Sequence, residues 1–403
     1  MKTVAIIGGG ASGIMAALTA AKDKENKVIL FERQQRIGRK LLATGNGRCN
    51  LTNVGATIDN YHSEQPEFAS AALEKFSPTD TLDFFHELGL LTVTEYGGRV
   101  YPLSNSANSV LDVLRLALDK AGVEQRCSCP VRALLRCGSG YELHTDEGKL
   151  KADYVIVACG GAAGEKLGGV HDGYELLKPL GHKRTKLYPC LVQLICEGEY
   201  PRALKGIRAD GKLSLMQGDE LLRESSGEIQ FTETGISGPA AFDISRACAT
   251  AGEGACIYMD FLQEYSCAAV EAALSLRREN HPGLECSELF TGMLHNRLGR
   301  MVVKYCGFSA ATPLKELSAE QILKAARICK AFPLRLKGTE GFANAQVTAG
   351  GIKASGINPD TMESWFMPGL FVCGELLDVD GDCGGYNLQW AWASGHLAGR
   401  LGK

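Results

Sequence analysis

The feature that most constrains this chain is its first thirty-two residues. Residues 3–7 read Thr-Val-Ala-Ile-Ile, and Gly8, Gly9, Gly10, Ala11, Ser12 and Gly13 follow before a largely apolar stretch from Ile14 to Ala21. A second apolar run, Val28 to Phe31, ends at Glu32. A lone G-x-G-x-x-G carries little weight. Set between two strands, with an acid at the end of the second, it specifies a βαβ unit that binds an adenine dinucleotide. Gly8 permits the tight turn, Gly10 lets the backbone approach a pyrophosphate, and Gly13 lets the helix lie close to the sheet. The free N–H groups at the helix start, around Ala11 and Ser12, then face the phosphates. Glu32 is placed to accept hydrogen bonds from ribose hydroxyls. An α/β fold follows; which dinucleotide it holds does not.

At 403 residues the chain is long enough for two or three domains. A formal net charge of -3 and the absence of a basic-aromatic face argue against nucleic acid as a partner. No apolar run approaches the roughly 20 residues of a membrane span. The first strand begins at residue 3, which leaves no room for a signal peptide, so a cytoplasmic protein is expected. The fifteen cysteines include no C-x-x-C pair, only the C-x-C of Cys127 and Cys129. That spacing suits neither a disulfide framework nor a zinc site, and no metal is expected; the cysteines read as small apolar core residues.

The pattern along the chain predicts a Rossmann-like domain made from both ends, 1–187 and 341–403. Inserted between them are a β-rich part, 188–262, which resembles a barrel, and a helical part, 263–340. Helices are expected at 107–121, 239–248 and 387–401, with two more inside 68–90, the second starting at Pro78. Lys151 to Ala158 reads as one strand. Short strands are expected at 190–197, 204–208, 212–216 and 220–224, with a hairpin at Asp210-Gly211 and a turn at Gly218-Asp219.

Three later segments select FAD over NAD. Residues 38–53 follow the acid strand closely and, with Arg33 and Arg36, gather Arg39, Lys40 and Arg48 with no acid among them. These cations neutralise a diphosphate, and Gly45 and Gly47 let backbone N–H groups approach it. The run Tyr154 to Ala158 ends at Cys159-Gly160-Gly161, small residues over which a dinucleotide passes closely. Gly374-Glu375 end another strand, Asp378 is placed for a ribityl hydroxyl or the diphosphate, and Gly384-Gly385 open the last helix. The amide groups of that helix start, at Tyr386 and Asn387, face the pyrimidine edge of an isoalloxazine. Reduced flavin carries negative charge there, which a helix N-terminus stabilises by ~0.3–2 kcal/mol.

Four motifs, 43–50 (Ala-Thr-Gly-Asn-Gly-Arg-Cys-Asn), 98–102 (Gly-Arg-Val-Tyr-Pro), 235–240 (Gly-Ile-Ser-Gly-Pro-Ala) and 384–389 (Gly-Gly-Tyr-Asn-Leu-Gln), resemble the BaiN/YhiN-like flavoprotein family. Its members are often called NAD(P)/FAD-dependent oxidoreductases of the aminoacetone oxidase family. The resemblance covers nearly the whole chain. It implies tightly bound FAD, and it adds Thr44, Asn46, Cys49, Asn50, Val131, Glu375 and Leu388 to the residues expected to hold the cofactor. A more distant similarity, at Asp172-Gly173 to Gly181 and in the closing helix, is to fumarate-reductase-type flavoproteins, which move hydride between flavin N5 and an activated C=C bond. Reduction of an enone of steroid or bile-acid type is therefore the leading expectation. An FAD-dependent amine oxidase and a non-catalytic flavin sensor are the alternatives. Arg99, Tyr386 and Glu233 are the first candidates for the polar catalytic role, beside Tyr101 and Tyr188. Many relatives are similar to Phe-Thr-His where this chain has Phe231-Thr232-Glu233, so a histidine's role there does not carry over. With no second G-x-G-x-x-G unit, NADH or NADPH would bind transiently as hydride donor at the substrate face, or a redox partner protein would supply electrons.

Overall fold

Three consecutive residues of the first strand, Val4, Ala5 and Ile6, have no exposed surface, because the strand lies in the middle of a parallel sheet covered on both faces. The computed structural model describes residues 1–403. The five strands run in the order Leu370–Val372, Tyr154–Val157, Lys2–Ile7, Asn26–Phe31 and Glu124–Arg126, all parallel. One edge strand comes from near the end of the chain, so the doubly wound unit is assembled from both termini. It comprises Met1–Cys190 and Phe342–Lys403.

The run expected as one strand from Lys151 to Ala158 divides in two. Gly148–Ala152 belongs to a three-stranded antiparallel sheet with Gly140–Thr145 and Val131–Cys137, while Tyr154–Val157 joins the parallel sheet. Asp153 pins the switch: its Oδ2 accepts from the Thr3 N–H at 2.7 Å, and its own N–H donates to Thr3 O at 2.9 Å.

The last helix, Tyr386–Gly399, packs on the first, Ala11–Ala20. A side chain at Gly395 would begin 2.4 Å from the Ser12 carbonyl oxygen, so the two backbones meet where only glycine fits. A buried amide holds the other side of the last helix. Gln389 Oε1 accepts from the hydroxyls of Thr52 at 2.7 Å and Thr81 at 2.8 Å, and Nε2 donates to Phe76 O at 2.8 Å. Left unpaired, these groups would each cost about 1–3 kcal/mol; paired, they locate the helix.

Leu191–Gly341 form a second unit, a closed six-stranded barrel with helices sharing its core. Three expectations fail here. Residues 204–207, read within a short strand, form a turn after the helical turn Tyr200–Ala203. Phe332–Thr339, read with the helical group, is the strand that closes the barrel, paired with Leu194–Cys196 and Cys256–Asp260. Asp210-Gly211 is not a hairpin turn but the interior of the ten-residue strand Arg208–Gln217. Gly211 lies opposite Gly227, and a Cβ on it would begin 2.7 Å from Asp260 O. Close backbone approach, not turn geometry, requires glycine there. The turn falls at Gly218-Asp219, as expected.

Candidate functional site

A cleft opens at the C-terminal ends of the parallel strands, where doubly wound sheets bind ligands. It encloses about 1340 Å³ of space, the open mouth included. The glycine turn lines it with Gly8, Gly10, Ala11 and Ser12, the second strand with Glu32 and Arg33, and the basic loop with Lys40 and Thr44. Val131, Ala158 and Gly160 form another wall, and Glu375, Asn387 and Leu388 complete it. The sequence reading missed the loop Leu167 to Val170 and the pair Gln346–Val347, which also line the cleft. The Gly168-Gly169 pair was the available signal.

The first helix presents its N-terminus to the cleft. Its N-cap, Gly10, makes no side-chain cap, no acid lies in its first turn, and its first internal bond is Ile14 N–H to Gly10 O. The N–H groups of Ala11, Ser12 and Gly13 therefore lack helical acceptors. Glu32 is already held by the backbone, its Oε2 accepting from Gly9 N–H at 2.9 Å and Oε1 from Gln34 N–H at 2.7 Å. Each oxygen keeps a lone pair for a ribose hydroxyl. Lys40 Nζ lies 2.7 Å from Glu375 Oε2, and Thr348 N–H donates to Glu375 Oε1 at 2.9 Å.

The other residues expected at the cofactor stand behind this wall. Gly13 faces the turn, not the cleft: its Cβ would begin 1.9 Å from Gly8 O. Gly374 ends its strand against the last helix, donating to Ser394 Oγ at 3.0 Å and accepting from Trp390 Nε1 at 3.1 Å. Asp378 is buried, with Oδ2 accepting from Glu64 N–H at 3.0 Å. Gly45, Asn46 and Cys49 all have positive φ and shape the loop 44–50. Arg48 turns away from the cleft to Glu95 and Asn105, with its guanidinium 3.9 Å over the Tyr101 ring. The Asn50 amide oxygen is buried with no partner, 2.9 Å from where a Gly385 side chain would begin.

Gly385, at φ 103, caps the last helix without a side-chain bond, and the first turn contains no acid. Asn387 clamps the preceding loop, Nδ2 donating to Gly381 O at 2.7 Å and Oδ1 accepting from Gly381 N–H at 2.9 Å. The Tyr386 ring stands edge-on to Tyr61, whose hydroxyl donates to Tyr386 O at 3.1 Å. Arg99 reaches the same corner: its Nε is 3.6 Å from where a Gly384 side chain would begin. No carboxylate of the chain pairs with its guanidinium.

Two uncapped helix starts, the open space in front of Gly10 and Gly160, and the orphaned Asn50 oxygen together fit an extended anionic cofactor with a polar ring at one end. Residues 2–401 match the HI0933-like protein Rossmann domain. The chain belongs to this family. A 3-dehydro-bile acid delta(4,6)-reductase from Clostridium scindens is 42% identical to it over 404 residues, 99% of this chain and 98% of the relative. A ribosomal RNA dihydrouridine synthase from Escherichia coli is 28% identical, covering 96% of this chain and 95% of that one. Among solved structures, 3-ketosteroid delta1-dehydrogenase from Sterolibacterium denitrificans, in complex with 1,4-androstadiene-3,17-dione, shares the fold. It aligns over 99% of both chains with a TM-score of 0.50 and 12% identity. This HI0933-like protein is an FAD-dependent oxidoreductase.

Not every candidate of the HI0933-like chain is suited to its expected role. Glu233 lies in the barrel unit, largely exposed, 2.8 Å from Lys205 Nζ and 3.9 Å from Arg202. The hydrogen bond from Lys205 holds its carboxyl below the usual range, so it stays ionised and has no proton to donate near neutrality. Tyr188 lies in a short strand paired with Val347–Ala349, under the Lys186 ammonium. Burial pushes the Cys49 thiol up to about 12, which excludes a ready thiolate. No helix is long and apolar enough to cross a membrane.

Proposed function

We propose that this protein reduces a C=C bond conjugated to a carbonyl in a flat polycyclic substrate of the 3-oxo steroid or bile-acid class. The observation that carries the reading is the corner where unpaired Arg99 meets the start of the last helix. FAD held in the cleft would supply the hydride, and the chain's own residues would orient the acceptor. Addition to the β-carbon moves charge onto the carbonyl oxygen, and Arg99 offers that oxygen a fixed, charged donor. The guanidinium stays protonated throughout, so it stabilises charge and leaves final protonation to another group. The name of the 42% identical relative, a reductase of a 3-oxo compound with conjugated double bonds, supports the same class. We also propose that Gly8, Gly10, Ala11, Ser12, Glu32, Lys40, Thr44 and Glu375 hold the cofactor's ADP half and diphosphate. NADH or NADPH is the proposed electron source, visiting the substrate face, since the chain carries one dinucleotide motif. Fifteen cysteines with no disulfide suit a reducing compartment, and we assign the protein to the cytoplasm.

The test is anaerobic. Dithionite-reduced holoprotein is mixed with a 3-oxo-Δ4 steroid, a monocyclic enone or ribosomal RNA lacking dihydrouridine, and the visible flavin band is followed. Recovery of the band with the steroid is the expected result. Recovery with RNA alone, or with no acceptor, overturns the reading.

A further inference from the structure

Hydride addition to an enone leaves an enolate that needs a proton, and the Arg99 guanidinium does not give one up. The donor has to stand near the start of the last helix, exchange with solvent and release a proton near neutrality. Tyr61 fails on two counts: its hydroxyl already donates to Tyr386 O at 3.1 Å, and burial pushes its pKa far up. Tyr101 is buried under the Arg48 guanidinium, and burial raises it too. Cys49 has no exposed surface. Imidazole is the side chain whose ordinary titration lies near neutrality.

One imidazole stands at this place. Tyr61–His62 pairs antiparallel with Asp380–Gly381, with His62 opposite Asp380 and Tyr61 opposite Gly381. Alternation turns Tyr61 toward the last helix and carries His62, Asp380 and Asp382 to the other side. His62 Nε2 lies 2.8 Å from Asp382 Oδ1. Asp382 is held in turn: Asn60 Nδ2 donates to its Oδ2 at 3.5 Å, and its N–H donates to Asn60 O at 3.0 Å. Asn387, which lines the cleft, donates to Gly381 O at 2.7 Å and to Asp382 O at 3.4 Å. The pair is therefore one residue removed from the cleft wall, and Gly384, beside Arg99, follows two positions later. A second histidine–carboxylate pair, His144 with Glu142 at 2.6 Å, joins neighbours within one strand. His62 and Asp382 are brought together from 320 positions apart. The charged groups around His62 are Asp382, Asp380 across the strand pair, Asp378 at the Glu64 N–H, Glu64 with Lys353 at 2.8 Å, and Asp59 and Glu67 on the flanking turns.

We propose that His62, oriented by Asp382, delivers the proton that completes the reduction. The inference rests on the enone-reductase reading above. With Nε2–H directed at Asp382, Nδ1 is the free position, and a side chain 23% exposed can reload from water. Hydride addition at the β-carbon breaks the C=C π bond and leaves its electron pair on the α-carbon and carbonyl oxygen. The Nδ1–H bond of the imidazolium then breaks, a C–H bond forms at the α-carbon, and the neutral imidazole takes its next proton from solvent. Asp382 fixes the ring and balances the imidazolium charge.

The test is anaerobic turnover of a 3-oxo-Δ4 steroid by holoprotein, with reduced methyl viologen as electron source, across about pH 5.5 to 9. His62→Gln is expected to lower kcat by about 100-fold. Its FAD content, its thermal midpoint and the steroid Kd of the oxidised form, read from the shift of the flavin band, should match wild type. Wild-type kcat should fall as pH rises, because the donor must carry its proton, and the residual rate of His62→Gln should not follow that limb. Asp382→Asn should move the limb to lower pH, since the imidazolium loses its counter-charge. Added imidazole should restore turnover to His62→Ala, and His144→Gln should behave as wild type. Wild-type kcat in His62→Gln, or an unaltered pH limb, overturns the assignment alone. No steroid reduction by wild type, with turnover of another acceptor, overturns the enone-steroid reading and this role with it.

Discussion

Gly10 and Gly13 are three residues apart in one motif, yet alanine should act differently at each. A Cβ on Gly13 would begin 1.9 Å from Gly8 O and 3.3 Å from Ala158 Cβ. Both obstacles are part of the sheet and its turn, so the first helix must retreat by more than about 1 Å, an overpacking that costs about 1–3 kcal/mol. Gly13→Ala should lower the thermal midpoint of the apoprotein and, by withdrawing the helix N–H groups, its affinity for FAD. A Cβ on Gly10 meets no protein atom within 4 Å and points into free space at the cleft. The apoprotein should lose less than about 1 kcal/mol, from a poorer N-cap. The methyl group would instead occupy the space of the diphosphate. Losing one charge-assisted hydrogen bond costs about 1.5–3 kcal/mol. That corresponds to a Kd for FAD roughly 10- to 150-fold weaker. FAD titrated into apoprotein, followed by flavin fluorescence, measures the affinity; circular dichroism of the apoprotein measures the stability. A Gly10→Ala protein that binds FAD as tightly as wild type would refute the assignment of this turn to the cofactor.

Lys40→Met should weaken FAD binding by about 10-fold, since it leaves Glu375 in the cleft without its ammonium partner; Glu375→Gln should cost less, because it frees Lys40 for the diphosphate. Equal losses in the two variants, measured at low and high salt, would count against that polarity. Arg99→Met should lower kcat for an enone by about 100-fold with FAD affinity unchanged, and Arg99→Lys should recover part of it; unchanged turnover removes Arg99 from the chemistry. His182 is buried with Nε2 2.9 Å from Ser364 Oγ, and burial lowers its pKa from 6.5 to about 4. The unfolded chain binds the extra proton first, so stability present above pH 6.5 falls as pH drops toward 4, by up to about 3 kcal/mol. Burial lowers His396 to about 4 as well, adding a loss of the same sign. Urea unfolding at pH 7 and pH 4.5 should show a smaller pH effect in His182→Gln; an identical effect would mean that His182 is not the buried neutral group.

What was legible in the sequence was local. The helix expected at 107–121 is Ala107–Ala121, marked by its apolar spacing and by Gly122, which ends it at φ 73. The glycine turn and Glu32 lie within one βαβ unit, so their spacing alone specifies the cleft's first wall. Asp210-Gly211 misled because a dipeptide signal cannot report the strand that will lie across it. Phe332 to Thr339 misled because its partners, 194–196 and 256–260, are distant in sequence. Arg48 looked like a phosphate ligand among its neighbours, and only the placement of Glu95 and Tyr101 turned it aside.

The sequence by itself determined that the chain opens with a βαβ unit carrying a glycine turn and a terminal acid, and that both chain ends build the parallel-sheet unit. These follow from motifs whose residues act on backbone within a few positions of themselves. Only the tertiary structure decided which side chains are left without partners. Arg99 and the Asn50 oxygen are orphaned, and His62 meets Asp382, because register and long-range packing allocate partners and solvent. Strand alternation sets which residues share a face; the rest of the molecule decides which face it covers.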